Sequence, residues 1–396
     1  VSDTAPALRL RRLGLTDFRN YARLDWRPVG RIAVITGPNG SGKTNLLEAI
    51  SLLVPGRGLR GARGADLARA GGTGWAVASR LDTPAGEVDI GTGTSPEGSA
   101  DRRVFRLDGA APRSQAEIAA RVSAVWLTPQ MDRLFHEGAS GRRRFLDRLV
   151  YALEPGHARE VASYEAATAS RNRLLGEGRA DPGWLAGLED AMARHGVAAT
   201  VARMGLVRRL NETLAAGAVG AFPIARMSLV CAIADRLAEA PALAVEDWLR
   251  ETLAAGRGRD AAAGSAAAGA HRADMDLADA ATGIVAARAS TGQQKSLLIA
   301  VILGHAALLA SARGFAPLLL LDEPVVHLDQ GRREALFAAL AALPAQAFLT
   351  GTDAEVFAPL AGVAEALRTG GDGLVADPGF PAPSDVAGGQ NPANGV

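Results

Sequence analysis

The stretch Gly37-Pro38-Asn39-Gly40-Ser41-Gly42-Lys43-Thr44 leaves this chain few ways to fold around it. It satisfies G-x-x-x-x-G-K-[ST] at every fixed position. A short apolar run, RIAVIT, precedes it, and Leu46, Leu47, Ile50 and Leu53 follow at helical spacing. Strand, glycine loop and helix in that order make an anion nest. The glycines let successive N–H groups turn inward, and the helix N-terminus adds its positive end. Lys43 is expected to reach the β- and γ-phosphates of a nucleotide and the Thr44 hydroxyl to ligate Mg²⁺. The loop from Gly37 to Gly42, with Asn45, would line the rest. Composition sharpens this reading. Of 43 Lys and Arg residues only two are lysines, Lys43 and Lys295. A chain that uses Arg elsewhere keeps Lys where a slim ammonium fits between phosphate oxygens and a planar guanidinium does not.

A second stretch, Pro317-Leu-Leu-Leu-Leu-Asp322-Glu323-Pro324, reads as a strand buried on both faces with two carboxylates at its C-terminal edge. Ligands of open α/β sheets sit at that edge. Asp322 is expected to help hold Mg²⁺ and Glu323 to polarise an attacking water. With Lys43 they form the expected catalytic set. Thirty-two residues before Asp322, Ser290-Thr-Gly292-Gln293-Gln-Lys295 opens an apolar helix, and a Ser there supplies a cap and leaves N–H donors.

Around these motifs the chain divides unevenly. Residues 8–36 suggest antiparallel strands leading into one buried strand, and 71–112 suggest short strands joined by polar turns such as GTGTSPEGS. Residues 140–255 have mostly helical spacing, broken at EPG (154–156), DPG (181–183) and Phe222-Pro223, without a sustained heptad. GRGRDAAAGSAAAGAH (256–271) reads as a flexible loop, and the Pro/Gly-rich 377–396 as a disordered tail. The expected division is an α/β domain in two parts, 1–150 and 283–376, with a mainly helical domain, 151–282, inserted. Counting by halves, residues 1–150 carry 23 basic and 15 acidic groups, net +8; the remainder carries 20 and 27, net −7. Such asymmetry suits a polyanion-binding face or ordinary solvated surfaces equally.

The single cysteine, Cys231, excludes an internal disulfide and a cysteine-based zinc site, and suits a reducing compartment. VSDTAPALRLRRLGL has no sustained apolar segment, and the apolar run 297–312 is short for a bilayer. A cytoplasmic protein without a membrane partner is the expectation. His136, His157, His195 and His305 have no metal-ligand spacing.

Taken together, the motifs resemble those of ABC-type ATPases. The Ser290 segment is similar to their signature sequence, and His327-Leu-Asp329 to their D-loop. DFRNY (17–21), PGRGLRGAR (55–63), GRRRFLDRLV (141–150), STGQQK and LLLDEPVVHLD are more particular and resemble the RecF family, over about residues 8–353. That resemblance implies an α/β, ABC/SMC-like ATPase head with a P-loop and mixed sheet, plus an inserted helical arm. It implies ATP-dependent homodimerisation in which Ser290, Gly292, Gln293 and Asp329 complete a partner's site, with Gln130 in LTPQMD as the Q-loop residue on nucleotide and Mg²⁺. It further implies binding to double-stranded or gapped DNA, weak ATP hydrolysis, and work with RecR and RecO that favours RecA loading in recombinational gap repair and replication restart. The chain departs from the pattern at Thr352 in LTGTD, where ABC ATPases carry a switch histidine; a threonine carries no proton, and slow turnover is expected.

Two Arg clusters are candidate DNA contacts: Arg57, Arg60 and Arg63 in a glycine-rich loop, and Arg142, Arg143 and Arg144 at a helix start. Their forked guanidinium groups suit phosphate; ion pairing within the fold explains them equally well. An alternative is an ABC-type ATPase subunit coupled to a transporter, but 253 residues separate Gly37 from Ser290. A structural SMC-type protein is a third reading. A block of roughly 110–130 helical residues with breaks extends about 90 Å at most when folded in two, a short arm.

Overall fold

The structure, a computed structural model, describes residues 8–95, 102–178, 181–370 and 373–380. In chain order its strands are β1 (Arg9–Phe18), β2 (Tyr21–Trp26), β3 (Ile32–Thr36), β4 (Ala76–Thr83), β5 (Gly86–Thr94), β6 (Arg103–Leu107) and β7 (Ala124–Leu127). Then come β8 (Ala225–Val230), β9 (Asp274–Asp279), β10 (Leu318–Leu321), β11 (Ala347–Gly351), β12 (Ala364–Gly370) and β13 (Gly373–Ala376). The helices are α1 (Lys43–Ser51), α2 (Gln115–Arg121), α3 (Ala139–Leu153), α4 (His157–Glu177) and α5 (Pro182–Ala215). They continue with α6 (Ala232–Leu237), α7 (Ala242–Ala255), α8 (Arg257–Ala263), α9 (Thr291–Arg313) and α10 (Gln330–Ala342). The chain forms two compact units. One takes the described residues of Val1–Asp132, Ala218–Phe222 and Leu298–Val396; the other takes those of Arg133–Gly217 and Pro223–Leu297.

In the first unit the alternating segments pair as a five-stranded antiparallel sheet, β2-β1-β4-β5-β6. Leu10, Leu13 and Leu15 of β1 all point inward, although 10 and 13 differ in parity. A register shift between Leu10 and Arg12 absorbs the odd step, the usual effect of a bulge. The second sheet, β13-β12-β3-β11-β10-β7, is parallel except where β12 meets β13. Its interior strands β3, β11 and β10 are buried at every position, which is why they read as unbroken apolar runs. Gln346 ties the two sheets together: its Oε1 accepts the Leu10 N–H at 2.6 Å, and its Nε2 donates to the carbonyls of Leu10 and Gly30.

The second unit is helical, from α3 to α8, with β8 and β9 pairing antiparallel. The expected breaks fall between α3 and α4 and between α4 and α5. At the second, Asp181 caps α5 by accepting the N–H groups of Gly183 and Trp184, with Pro182 in the first turn. Strand β8 corrects the expectation of helix through 255; ARMSLV alternates, but six residues are easily lost between long helical patterns. The 256–271 segment is a second correction. It contains α8, and Asp260 there is buried, accepting from Arg171 at 2.9 Å and from the Ala267 N–H at 3.0 Å. Arg171 is itself fully buried and also donates to Glu189 at 3.0 Å and the Leu253 carbonyl at 2.6 Å. Buried charges must be paired, so this network pins a segment that composition presents as a loop.

The division between units falls ahead of α3 and after Leu297, where boundaries after 150 and after 282 were expected. The reason for α3 is visible: Arg142 forms a two-pronged ion pair with Asp274 of β9 at 2.7 Å. Helix α9 is the one helix among the described residues long and apolar enough to cross a membrane; 78% of its apolar window is buried in the fold. Residues 381–396 of the expected disordered tail lie outside the described residues.

Glu365 of β12 gives the fold a pH dependence. It accepts the Val29 N–H at 3.1 Å, and burial pushes its carboxyl from 4.5 up to about 7. The unfolded chain releases this proton near 4.5 and the folded chain near 7. Between those values the folded state binds more protons, so this group's contribution to stability falls as pH rises through that window. Chemical denaturation at pH 5 and pH 8 is expected to show Glu365→Gln losing about 1–3 kcal/mol less than wild type over the interval. Equal losses in both proteins would remove the assignment.

Candidate active site

Strand β11 lies between β3 and β10, so the loops leaving the last two emerge two strand positions apart at the C-terminal edge of the sheet, with the tip of β11 between them. The glycine loop joins β3 to α1 as expected. Gly37 (φ +148°) and Gly42 (φ +102°) occupy backbone conformations that L side chains avoid. They are also crowded: a Cβ on Gly37 would lie 2.1 Å from Thr369 Oγ1, and one on Gly42 would lie 2.5 Å from Asn20 Nδ2. Lys43 is buried and donates to the loop carbonyls of Gly37 at 2.7 Å and Pro38 at 2.9 Å. Burial draws its ammonium below the usual lysine range, with Glu323 and Asp322 opposing that shift. The Ser41 and Thr369 hydroxyls lie 2.6 Å apart, and Pro38, Asn39 and Gly40 are exposed.

Thr44 Oγ1 donates to Asp322 Oδ1 at 2.9 Å, bringing the loop and the carboxylate pair together. Two hard oxygen donors this close suit Mg²⁺. Thr350 at the end of β11 donates to the same oxygen at 2.7 Å. Glu323 stands at φ +49°, a conformation costing a residue with a Cβ roughly 1–2 kcal/mol. Its N–H is held by Thr350 Oγ1 at 3.0 Å. Beside it opens a cleft of about 370 Å³ lined by Asn39, Glu323, His327, Arg333, Thr352 and Asp353, among others. Thr352 is exposed on this cleft.

The remaining candidates are placed as follows. Gln130 is exposed in a 3₁₀ turn after β7, with no hydrogen bond to Thr44 or Asp322 among the described contacts. Asp329 caps α10, accepting the Arg332 N–H at 2.9 Å. Ser290 and Gln293 form a reciprocal capping box on α9: Gln293 Oε1 accepts the Ser290 N–H at 2.9 Å, and Ser290 Oγ accepts the Gln293 N–H at 3.4 Å. Gly292 lies within that first turn. Three of the six candidate DNA arginines have partners within the chain, Arg142 and Arg143 half-buried and Arg60 exposed. Arg142 holds Asp274, Arg143 donates to the Ala273 carbonyl, and Arg60 donates to Asn45 Oδ1 at 2.7 Å and reaches Glu48. Arg57, Arg63 and Arg144 are exposed.

Several residues around the site carry work that motif reading does not reveal. Glu48, 1% exposed on α1, forms a two-pronged pair with Arg19 at 2.8 and 2.9 Å. Asn20 Oδ1 accepts from Asn45 at 2.7 Å, and the Tyr21 hydroxyl donates to the Gly42 carbonyl at 3.2 Å, burial pushing that phenol up to about 12. DFRNY is thus the brace behind the glycine loop, and Arg60 of GRGLRGAR closes it from the other side. A glutamate inside the apolar TNLLEAISLL was the sequence signal for this buried pair.

The sheet order, glycine loop and inserted helical unit define an ATPase head of the SMC class. The profile of the RecF/RecN/SMC N-terminal domain matches residues 9–366. The DNA replication and repair protein RecF of Allorhizobium ampelinum is 48% identical over 353 residues, 89% of this chain and 94% of that relative. Its namesake in Agrobacterium fabrum is 48% identical over 372 residues, 93% and 98% of the two chains. The chain belongs to the RecF family. Among solved structures, that of the recombination mediator protein RecF–ATPrS in the RecFOR pathway superposes with a TM-score of 0.81 at 21% identity, covering 94% of this chain and 99% of that one. An SMC head bound to the C-terminal winged-helix domain of ScpA follows with a TM-score of 0.52 at 16% identity, covering 93% and 97%. These two share the fold.

Arg19→Ala strips Glu48 of its closest partner. Urea unfolding should show a loss of about 3 kcal/mol, against less than about 0.5 kcal/mol for the exposed Arg63→Ala. Similar small losses in both would show that the pair does not hold α1.

Proposed function

We propose that this chain is a DNA-binding, ATP-dependent dimerising switch that acts in recombinational gap repair and replication restart in the cytoplasm. The observation that carries the reading is the Thr44–Asp322 hydrogen bond at 2.9 Å, which joins the phosphate-binding loop to the carboxylate pair. The relatives named DNA replication and repair protein RecF support the cellular role, and their naming gives no footing to the transporter alternative. ATP as the nucleotide is supported by the related RecF–ATP structure.

In this reading the loop from Gly37 to Gly42 wraps the phosphates with its N–H groups, and Lys43 exchanges its contacts with the Gly37 and Pro38 carbonyls for phosphate oxygens. Asn45 follows on α1. Thr44 and Asp322, with Gln130 approaching from β7, would hold Mg²⁺, which supplies charge neutralisation at the phosphates. Glu323 orients the attacking water and accepts its proton. With Thr352 at the switch position, hydrolysis is weak. Ser290, Gly292, Gln293 and Asp329 act on the nucleotide of a second copy, so ATP closes a dimer. Closure holds double-stranded or gapped DNA, release follows hydrolysis, and RecR and RecO are the partners through which RecA loading is favoured.

Light scattering with Glu323→Gln is expected to show a monomer without nucleotide and a dimer with ATP and Mg²⁺. A monomer throughout, with bound nucleotide demonstrated, would leave Ser290 as a helix cap and remove the dimer from the reading. For DNA, Arg57→Ala and Arg63→Ala should each weaken binding to duplexes of any sequence and flatten the salt dependence by about one unit of slope. Arg142→Ala should instead destabilise the helical unit. Unchanged slopes for Arg57 and Arg63 would take the DNA surface elsewhere.

A further inference from the structure

We infer that Thr350 is a positioning residue for ATP hydrolysis, its one hydroxyl fixing both members of the carboxylate pair. The inference rests on the reading of Asp322 and Glu323 given above. Thr350 is the polar end of an otherwise apolar strand, AFLTG, and is fully buried. A buried hydroxyl costs stability unless it is hydrogen-bonded, and this one is bonded twice. Its partners fix its polarity. Asp322 Oδ1, 2.7 Å away, can only accept when ionised, so the single hydroxyl proton goes there. The Glu323 N–H, 3.0 Å away, can only donate, so it takes a lone pair.

Two consecutive residues are therefore held through different parts. Asp322 is held by its side chain, against the oxygen that Thr44 also reaches at 2.9 Å. Glu323 is held by its backbone, which stands at φ +49°. The main chain of Glu323 sets where its carboxylate projects, and the contact that holds that main chain comes from the neighbouring strand. Because β11 pairs in parallel with β10, Thr350 at its tip reaches both Asp322 and Glu323 from one position. Loss of the hydroxyl leaves Asp322 Oδ1 with Thr44 alone and takes away the Thr350 contact on the Glu323 N–H, at the two groups the reaction depends on. The glycine loop keeps its own contacts.

The test compares Thr350→Val, which keeps the shape without the hydroxyl, with Thr350→Ser, which keeps the hydroxyl. Each is measured for steady-state ATP hydrolysis, for half-saturating Mg²⁺, and for binding of a fluorescent ATP analogue, with Glu323→Gln as control. The expected result is that Thr350→Val loses about tenfold or more in turnover and needs several-fold more Mg²⁺. Its nucleotide affinity stays within about threefold, as does the turnover of Thr350→Ser. Thr350→Ala replaces the valine variant in the same comparison where valine does not fold. Wild-type turnover and Mg²⁺ dependence in the hydroxyl-less variant, beside an inactive Glu323→Gln, overturn this inference alone. Equal losses in the serine and valine variants also overturn it. Wild-type turnover in Glu323→Gln as well overturns the reading of the carboxylate pair, and this inference with it.

Discussion

A single carboxylate oxygen organises the nucleotide end of this molecule. Asp322 Oδ1 receives the hydroxyl of Thr44 from α1 and that of Thr350 from β11, so three elements that leave the sheet separately converge on one acceptor. Strand order makes this possible. With β11 between β3 and β10, the loops after the outer two are separated by two strand spacings, roughly 10 Å. A threonine on the first turn of α1 and another at the tip of β11 close that gap from opposite sides. Parallel pairing keeps the tips level: Leu321 faces Leu349, and Gly351 faces Thr36. A one-residue slip would turn Thr350 to the other face and leave Asp322 with Thr44 alone.

Much of this was legible in the sequence because its causes are local. The glycine loop announces itself through residues that only its backbone requires, and LLLLDE through a strand that must be buried on both sides. What escaped depends on partners distant in sequence. Thr350 and Asp322 are separated by 28 residues, and Arg19 and Glu48 by 29. Neither pair has a periodicity to betray it. The 256–271 segment failed for the same reason. Its Ala and Gly content describes a loop correctly for a free chain, but Asp260 meets Arg171, 89 residues away, in the interior. The two-stranded β8–β9 pair was hidden because β9 follows β8 by more than forty residues, and only the pairing makes ARMSLV a strand.

Arginine usage resolves into two populations that composition cannot separate. Arg19, Arg60, Arg142, Arg171 and Arg203 each hold a carboxylate inside the fold, mostly through two prongs of the guanidinium. Such geometry suits arginine and not lysine. Lys43 is the opposite case, a point charge among carbonyls of a tight loop. The excess of basic groups in residues 1–150 is therefore partly structural. In the loop, Arg57 and Arg63, with glycines around them, are exposed, and so is Arg60, which holds Asn45 and Glu48.

The cap on α9 reconciles a structural role for Ser290 with the proposed role in a second copy's site. A helix leaves its first four N–H groups without intrahelical acceptors. Here the reciprocal box uses two donors: Gln293 takes the Ser290 N–H, and Ser290 takes the Gln293 N–H. The donors of Thr291 and Gly292 lie between them in the first turn, and Gly292 has no side chain to stand in front of them. A box of this kind fixes the direction of the turn while leaving its middle N–H groups for an anion. The capping contact and the phosphate contact are then not rival explanations of Ser290. The first would hold the geometry that the proposed second requires.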